Sequence, residues 1–314
     1  MRLRSALLLL AIAAPLAAQD PAPEPTPTPD AAPTGVSGPA PTPAPTASPS
    51  DPVLVGAGDI ADCKNLSPAA KTAVLLDSIE GTVFTLGDNA YLDGSAKDFA
   101  DCYDPTWGRH KARTRPVIGN HEYLTPGAAA YFQYFGEAAG DPKKGWYSYD
   151  LGAWHIVVMN SNCGPAGGCG PDSPQAKWLR EDLAAHPTLC TAAMWHHPRY
   201  STAEHGDDPT MRTFWKILYD AGTELVLSGH DHAYERYAPQ DSDSRSDPKG
   251  PRQFVIGTGG KELYPWEHHD PDLQVRNDRT FGVFKLTLHP DGYDWEFIPV
   301  KGGTFTDSGS EKCH

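Results

Sequence analysis

Beyond position 52 the apolar residues fall into short runs, each closed by glycine or a polar cluster, and short closed runs of this kind predict strands. VLVGAG (53–58), TVFTL (82–86), RPVIG (115–119), AWHIVVMNS (153–161), LCTAAMWHH (189–197), ELVLSG (224–229) and RQFVIGTGG (252–260) read this way. Helical stretches lie between them. Ser67-Pro68 predicts a helix to about Glu80, with serine as N-cap and proline in the first turn; Ser173-Pro174 repeats the signature for a helix to about Ala185. Thr210 to Asp220 is predicted helical as well. Near the C-terminus, FGVFKLTLHP and DGYDWEFIPV read as a hairpin turned at Pro290-Asp291-Gly292. Strands separated by helices early and a hairpin late predict an α/β sandwich flanked by helices.

The first fifty residues follow no such pattern. Arg2 and Arg4 precede an apolar stretch, Ser5 to Ala18, too short to span a bilayer, so residues 1–18 read as a secretory signal peptide cleaved near Ala18. No cysteine follows closely, which disfavours a lipoprotein anchor. Residues 19–51 are almost entirely Pro, Ala, Thr, Ser and Gly and read as a disordered, semi-rigid linker. Residues 52–314 suit one large domain with a full core. No later stretch is long and apolar enough for a transmembrane anchor, so the chain is expected to be secreted or periplasmic. The formal charge is −14, and −16 once Arg2 and Arg4 leave with the signal peptide. That balance argues against a general nucleic-acid partner, which needs a basic face. Six cysteines, an even set in an exported chain, predict disulfides. Cys163 and Cys169 flank GPAGG and suit a small closed loop; the remaining pairing is open.

The residues that follow each predicted strand carry the chemistry. After VLVGAG comes Asp59; after TVFTLG come Asp88 and Tyr91; after RPVIG come Asn120, His121 and Glu122. LCTAAMW leads to His196 and His197, and ELVLSG to His230 and His232. Open α/β sheets build their sites at the carboxyl ends of strands. Hard oxygen from Asp, Asn and Tyr, mixed with imidazole nitrogen, suits Fe, Zn or Mn better than Ca or Mg. Asp59, Asp88, Tyr91, Asn120, His196, His230 and His232 are too many ligands for one ion. They fill two sites if a carboxylate bridges, and two metals about 3.5–4 Å apart suit phosphate-ester hydrolysis.

The ordered blocks GD, GDNAY, GNHE, WHHP and GHDH resemble those of the calcineurin-like metallophosphoesterases, and the tyrosine in GDNAY resembles the purple acid phosphatase branch. The resemblance spans roughly residues 53–260. It implies an αββα sandwich of two mixed β-sheets flanked by helices. It also implies that Asp59, Asp88, Tyr91 and His232 hold Fe(III), that Asp88 bridges, and that Asn120, His196 and His230 hold a divalent Fe, Zn or Mn. His121 would contact phosphate, and His205 would contact substrate and protonate the leaving group as general acid. The activity implied is that of a secreted phosphomonoesterase acting on a small phosphate ester through metal-bound hydroxide, with an acid pH optimum. Two departures stand out: Ala61 occupies a position where the family often has glycine, and the extra β-sandwich domain of the large plant enzymes is absent.

Other readings compete. A phosphodiesterase or nuclease on the same scaffold is one rival, and a non-catalytic cell-surface binding protein with a vestigial site is another. Only one of His196 and His197 can turn from the strand end into the site, and the family pattern favours His196, leaving His197 as a packed or solvent-facing neighbour. His155, mid-strand, reads as a cross-strand or core residue. His110 and the arginines of GRHKARTR read as a solvated face, His268-His269 as residues near the mouth of the site at most, and Arg236 as a brace behind GHDH.

Overall fold

The computed structural model describes residues 51–188 and 190–314. The signal-peptide and linker assignments for residues 1–50 therefore lie outside the described residues. Two mixed β-sheets form the centre. In the first, the strands lie in the order Ser308–Lys312, Gly292–Pro299, Gly282–His289, Val53–Ala57, Thr82–Thr85 and Thr114–Arg115. The second runs Leu273–Asn277, Tyr234–Tyr237, Arg252–Ile256, Leu225–Ser228, Cys190–Met194, Trp154–Val158 and Tyr147–Leu151. Val53–Ala57, Thr82–Thr85 and Thr114–Arg115 pair in parallel, as do Trp154–Val158, Cys190–Met194, Leu225–Ser228 and Arg252–Ile256. All of these strands point the same way within their sheet, so the residues after each one collect along one edge.

Burial on both faces explains why the parallel strands are near-continuous apolar runs. Leu54, Phe84, Val283 and Phe284 of the first sheet share one core with Ile156, Met194, Leu227 and Phe254 of the second. Phe254 and Phe284 meet across it with ring centroids 4.6 Å apart. The outer face of the second sheet buries Val157, Ala193 and Val226 against Ala176 and Leu179 of the helix Pro174–Ala185 and Phe214 and Leu218 of the helix Arg212–Asp220. Ala69, Ala73 and Leu76 of the helix Ser67–Asp77 pack into the first core. The layers are helix, sheet, sheet, helix, as expected.

The local signals mostly hold. Ser173 accepts from the Ala176 N–H as N-cap, and the hairpin pairs His289 with Gly292. Ser67 does not cap its helix: it is the first helical residue, and its N–H donates to Asn65 Oδ1 at 3.3 Å. RPVIG is strand only at Arg115. Pro116 has no N–H for the ladder; its carbonyl accepts the hydroxyls of Tyr131 and Tyr147, and the Val117 N–H turns to Thr85 Oγ1. GRHKARTR is a solvated face only in part, since Arg109, Lys111 and Arg115 are exposed. His110 is buried between Ala73 and Asp77, Arg109 forks onto Asp77, and Arg113 donates to the carbonyls of Leu76, Ile79 and Gly81 at and beyond the helix end. Disulfides join Cys63 to Cys102, Cys163 to Cys169 and Cys190 to Cys313.

Candidate metal centre

Two loops of the first sheet run side by side at its carboxyl edge. The N–H groups of Asp59, Ile60 and Ala61 donate to the carbonyls of Gly87, Asp88 and Asn89, and Ala61–Asp62 pairs in parallel with Ala90–Tyr91. Ala61 thus sits in a short ladder, and its methyl is buried without a left-handed turn. Asp59, Asp88 and His230 do adopt positive φ, at 60°, 48° and 68°. Such backbone is costly for these residues and clusters at functional sites. Gly87 and Gly119 are required by close approach: a Cβ would lie 2.4 Å from His196 Nδ1 at the first and 2.1 Å from Asp88 Oδ1 at the second.

The first half of the site is closed and rich in oxygen. Tyr91 Oη lies 3.0 Å from Asp59 Oδ1, 3.1 Å from Asp88 Oδ2 and 3.2 Å from His232 Nε2. All four residues are buried. The His232 ring is fixed from behind, because its Nδ1 donates to the Glu262 carbonyl at 2.7 Å, which leaves the Nε2 lone pair facing the phenol. Tyr264 stacks on the same ring at 3.9 Å.

Nitrogen dominates the second half. His196 Nε2 lies 3.0 Å from Asn120 Oδ1, 3.2 Å from His230 Nδ1 and 3.4 Å from Asp88 Oδ2. Its Nδ1 donates to the Leu86 carbonyl at 2.7 Å, again leaving Nε2 free as a ligand and tying the second sheet to the first. A single oxygen, Asp88 Oδ2, faces both the phenol and His196, the place a bridging carboxylate must occupy.

The electrostatics suit cations. One phenol proton cannot satisfy two buried carboxylates and an imidazole lone pair, all within 3.2 Å. Burial, and then the charges of Asp59 and Asp88, push the Tyr91 hydroxyl well above its ordinary range. Burial would depress His196, yet the Asp88 charge pushes it up to about 9, while His196 holds Asp88 low against its own burial. The buried carboxylates thus demand positive charge beside them. A metal shell of this oxygen and nitrogen composition meets the same demand without leaving a donor or acceptor unpaired.

His121 and His205 flank the cluster at its partly exposed side. The His121 N–H donates to Asp88 Oδ1, its Nδ1 meets the Leu92 carbonyl at 2.5 Å, and its Nε2 lies 3.7 Å from Asp88 Oδ2. His205 takes Asp231 Oδ1 on both its backbone N–H and its Nδ1, each at 2.9 Å, so its Nε2 is free. That bond raises His205 above its ordinary value, against a smaller effect of burial.

His197 is the packed neighbour of His196 rather than a solvent-facing one. It lies within the histidine group of the site, anchored by Ser161. His155 is the expected cross-strand residue, between Asp150 and Asp182. Arg236 donates to Asp307 and Gln274 as a brace, and His268 packs over Gly206 beside the His205 loop.

The sequence assigns no role to two supporting residues, Glu122 among the strand-end set and Asp231 inside GHDH. Glu122 is fully buried and accepts the N–H groups of Asp88, Asn89 and Gly119, fixing the GDNAY loop to the GNHE loop. Asp231 orients His205. The signal was present, an acid inside GNHE and another inside GHDH, but neither spacing says what it accepts.

Comparison with known proteins agrees with this geometry. The family Calcineurin-like phosphoesterase matches residues 51–234. Purple acid phosphatase 15 of Arabidopsis thaliana is 28% identical over 268 residues, 72% of this chain and 48% of that protein. The Fe(3+)-Zn(2+) purple acid phosphatase 12 of the same plant is 27% identical over 237 residues, 64% of this chain and 49% of that protein. The chain thus spans about half the length of these relatives. Among solved structures, purple acid phosphatase PPD1 from yellow lupin (Lupinus luteus) seeds shares the fold, with a TM-score of 0.64, 18% identity, and coverage of 84% of this chain and 54% of that one. With the family pattern covering more than half its length and the strand-end cluster in place, the chain belongs to the calcineurin-like phosphoesterase family, and its relatives are purple acid phosphatases.

Proposed function

We propose that this chain is an exported, binuclear metal-dependent phosphomonoesterase of the purple acid phosphatase kind. The observation that carries the reading is Tyr91 Oη, buried within 3.2 Å of Asp59, Asp88 and His232. Asp59, Asp88, Tyr91 and His232 would hold a trivalent iron, the hard oxygen set matching the harder ion. Asp88, Asn120, His196 and His230 would hold a divalent Fe, Zn or Mn. The relative named for Fe(3+) and Zn(2+) supports a pair of ions of this kind. Bound there, the two ions supply Lewis-acid stabilisation of charge developing on the phosphoryl oxygens and activation of water.

The chain's own groups do the rest. His121, beside Asp88 at the open side, offers Nε2 to a phosphoryl oxygen. His205 offers Nε2 as the proton donor to the departing alcohol, with Asp231 holding Nδ1 and keeping the ring charged. Glu122 keeps the two ligand loops in register without touching substrate. The disulfides support an extracellular setting, and among the described residues no helix is long and apolar enough to cross a membrane.

The test is a metal analysis with a visible spectrum, on the wild type and on Tyr91→Phe, together with rates on p-nitrophenyl phosphate and its bis-ester. Two metals per chain, an iron–tyrosinate band lost in the variant and a preference for the monoester are expected. A wild type that turns over with no such band overturns the iron assignment. Faster hydrolysis of the bis-ester makes the protein a diesterase, and a metal-loaded protein with no turnover makes it a binding protein.

A further inference from the structure

The three imidazoles on the metal side are not held alike. His196 and His232 each donate Nδ1 to a backbone carbonyl, Leu86 and Glu262, at 2.7 Å. A carbonyl can only accept, so both rings are locked in one tautomer and one orientation. His230 is used the other way round. Its Nδ1 faces the site, 3.2 Å from His196 Nε2, and its backbone, not its ring, is tied down, through an N–H donated to Asp59 Oδ2 at 2.9 Å. The residue also sits at φ 68°, on a loop with no regular ladder of its own.

What constrains the ring is packing against its neighbours. Two tilted imidazoles lie against the His230 ring, with the His205 centroid 4.1 Å away at 36° and the His197 centroid 4.4 Å away at 53°. His205 is partly exposed and belongs to the substrate side. His197 is the fixed wall. Its Nδ1 lies 2.7 Å from Ser161 Oγ, and the same hydroxyl accepts the His197 backbone N–H at 3.0 Å. Ser161 is itself buried at the end of the run that follows the strand Trp154–Val158. The anchor therefore comes from the buried segment that directly continues a central strand.

We propose that His197, clamped by Ser161, is a positioning residue for His230: it holds that ring in the orientation that presents Nδ1 to the second metal, the role a carbonyl performs for His196 and His232. His197 supplies ring bulk in tilted contact rather than a ligand atom. A side chain that keeps that bulk keeps the function. The inference rests on the binuclear reading above, and the test separates the two.

The experiment compares wild type, His197→Ala, His197→Phe and Ser161→Ala by elemental analysis and by titration of the divalent ion, Zn(II), into protein already carrying iron. The circular dichroism and iron content serve as the check on folding. The expected result is that His197→Ala weakens Zn(II) binding by about 10–100-fold, the usual effect of removing an orienting partner. Iron and its colour remain, Ser161→Ala gives a smaller loss, and His197→Phe restores most of the affinity. Unchanged Zn(II) affinity in His197→Ala overturns the proposal. Failure of His197→Phe to rescue a His197→Ala defect also overturns it, since that makes the imidazole nitrogen a ligand. A raised KM with unchanged Zn(II) affinity assigns His197 to the substrate and overturns it as well. If wild-type protein takes up no second ion at all, the binuclear reading fails instead, before any variant is compared.

Discussion

Histidines meet carboxylates at both ends of this molecule, and the two ends solve the encounter differently. At the carboxyl edge, His196 and His232 each commit one nitrogen to a backbone carbonyl and turn the other toward Asp88, Asp59 and Tyr91. At the opposite end, His155 sets Nδ1 against Asp150 and Nε2 against Asp182, and His289 sets Nδ1 against Asp51 and Nε2 against Asp294. The two far clusters are neighbours, because Trp154 Nε1 donates to the His289 carbonyl. A ring with carboxylates on both nitrogens is satisfied by being an imidazolium. A ring with one nitrogen locked by a carbonyl keeps a lone pair free, and that suits a metal. The same residue types therefore serve a proton at one end and a cation at the other, and the second partner of each ring decides which.

The comparison breaks most easily at Asp88. Asp88→Asn removes the oxygen shared by both halves, and kcat/KM on p-nitrophenyl phosphate is expected to fall by about 10³-fold or more, roughly 4 kcal/mol. Metal content should fall with it. A variant with full metal content and near-normal turnover would show that Asp88 bridges nothing. Chelation is the next largest effect. The nitrogen-rich half opens toward Asn120 and His230, both partly exposed, whereas Asp59, Tyr91 and His232 are buried. Mild chelator should therefore strip the divalent ion first, abolish most activity and leave the colour; added Zn(II) should restore the rate. Simultaneous loss of both ions would erase the distinction between the halves.

His205 offers a smaller test. His205→Ala should lower kcat by about 10²-fold, the contribution of one general acid. Because its Asp231 bond raises His205, burial opposing, the ring stays protonated further up the pH scale. Asp231→Asn should then move the alkaline limb of the kcat profile to lower pH. An unmoved limb would take the proton-donor role away from His205.

Much of this was legible in the sequence because strand ends deliver side chains to one edge. Each ligand type stood at the end of an apolar run. The hidden parts depend on partners distant in sequence. Glu122 reveals its role only when Asp88 and Asn89 arrive from another strand, and His110 looks solvated until the helix Ser67–Asp77 covers it. The strands Ser308–Lys312 and Leu273–Asn277 escaped the pattern for a different reason. They lie at sheet edges and bury little of either face: SGSEK carries no apolar residue, and LQVRN only the half-buried pair Leu273 and Val275. The fold of the centre was written in hydrophobic runs, and its edges were not.

The smallest effect tests the far end. Burial would depress His155, but its bonds to Asp182 and Asp150 raise it above its ordinary value; His289 is raised in the same way by Asp51 and Asp294. A histidine raised on folding stabilises the protein fully below its unfolded value, about pH 6.5, and that stability is lost as the pH rises through the folded value. His289→Ala should thus cost about 1 kcal/mol near pH 5.5 and less near pH 9. His155→Ala, which strips a partner from the buried Asp182, should cost about 2–3 kcal/mol with the same trend. Urea unfolding at both pH values reads the difference. Chelator should leave it unchanged, because what holds these rings is a proton; a chelator-sensitive stability in wild type that disappears in His155→Ala would mean that the far cluster, too, binds a metal.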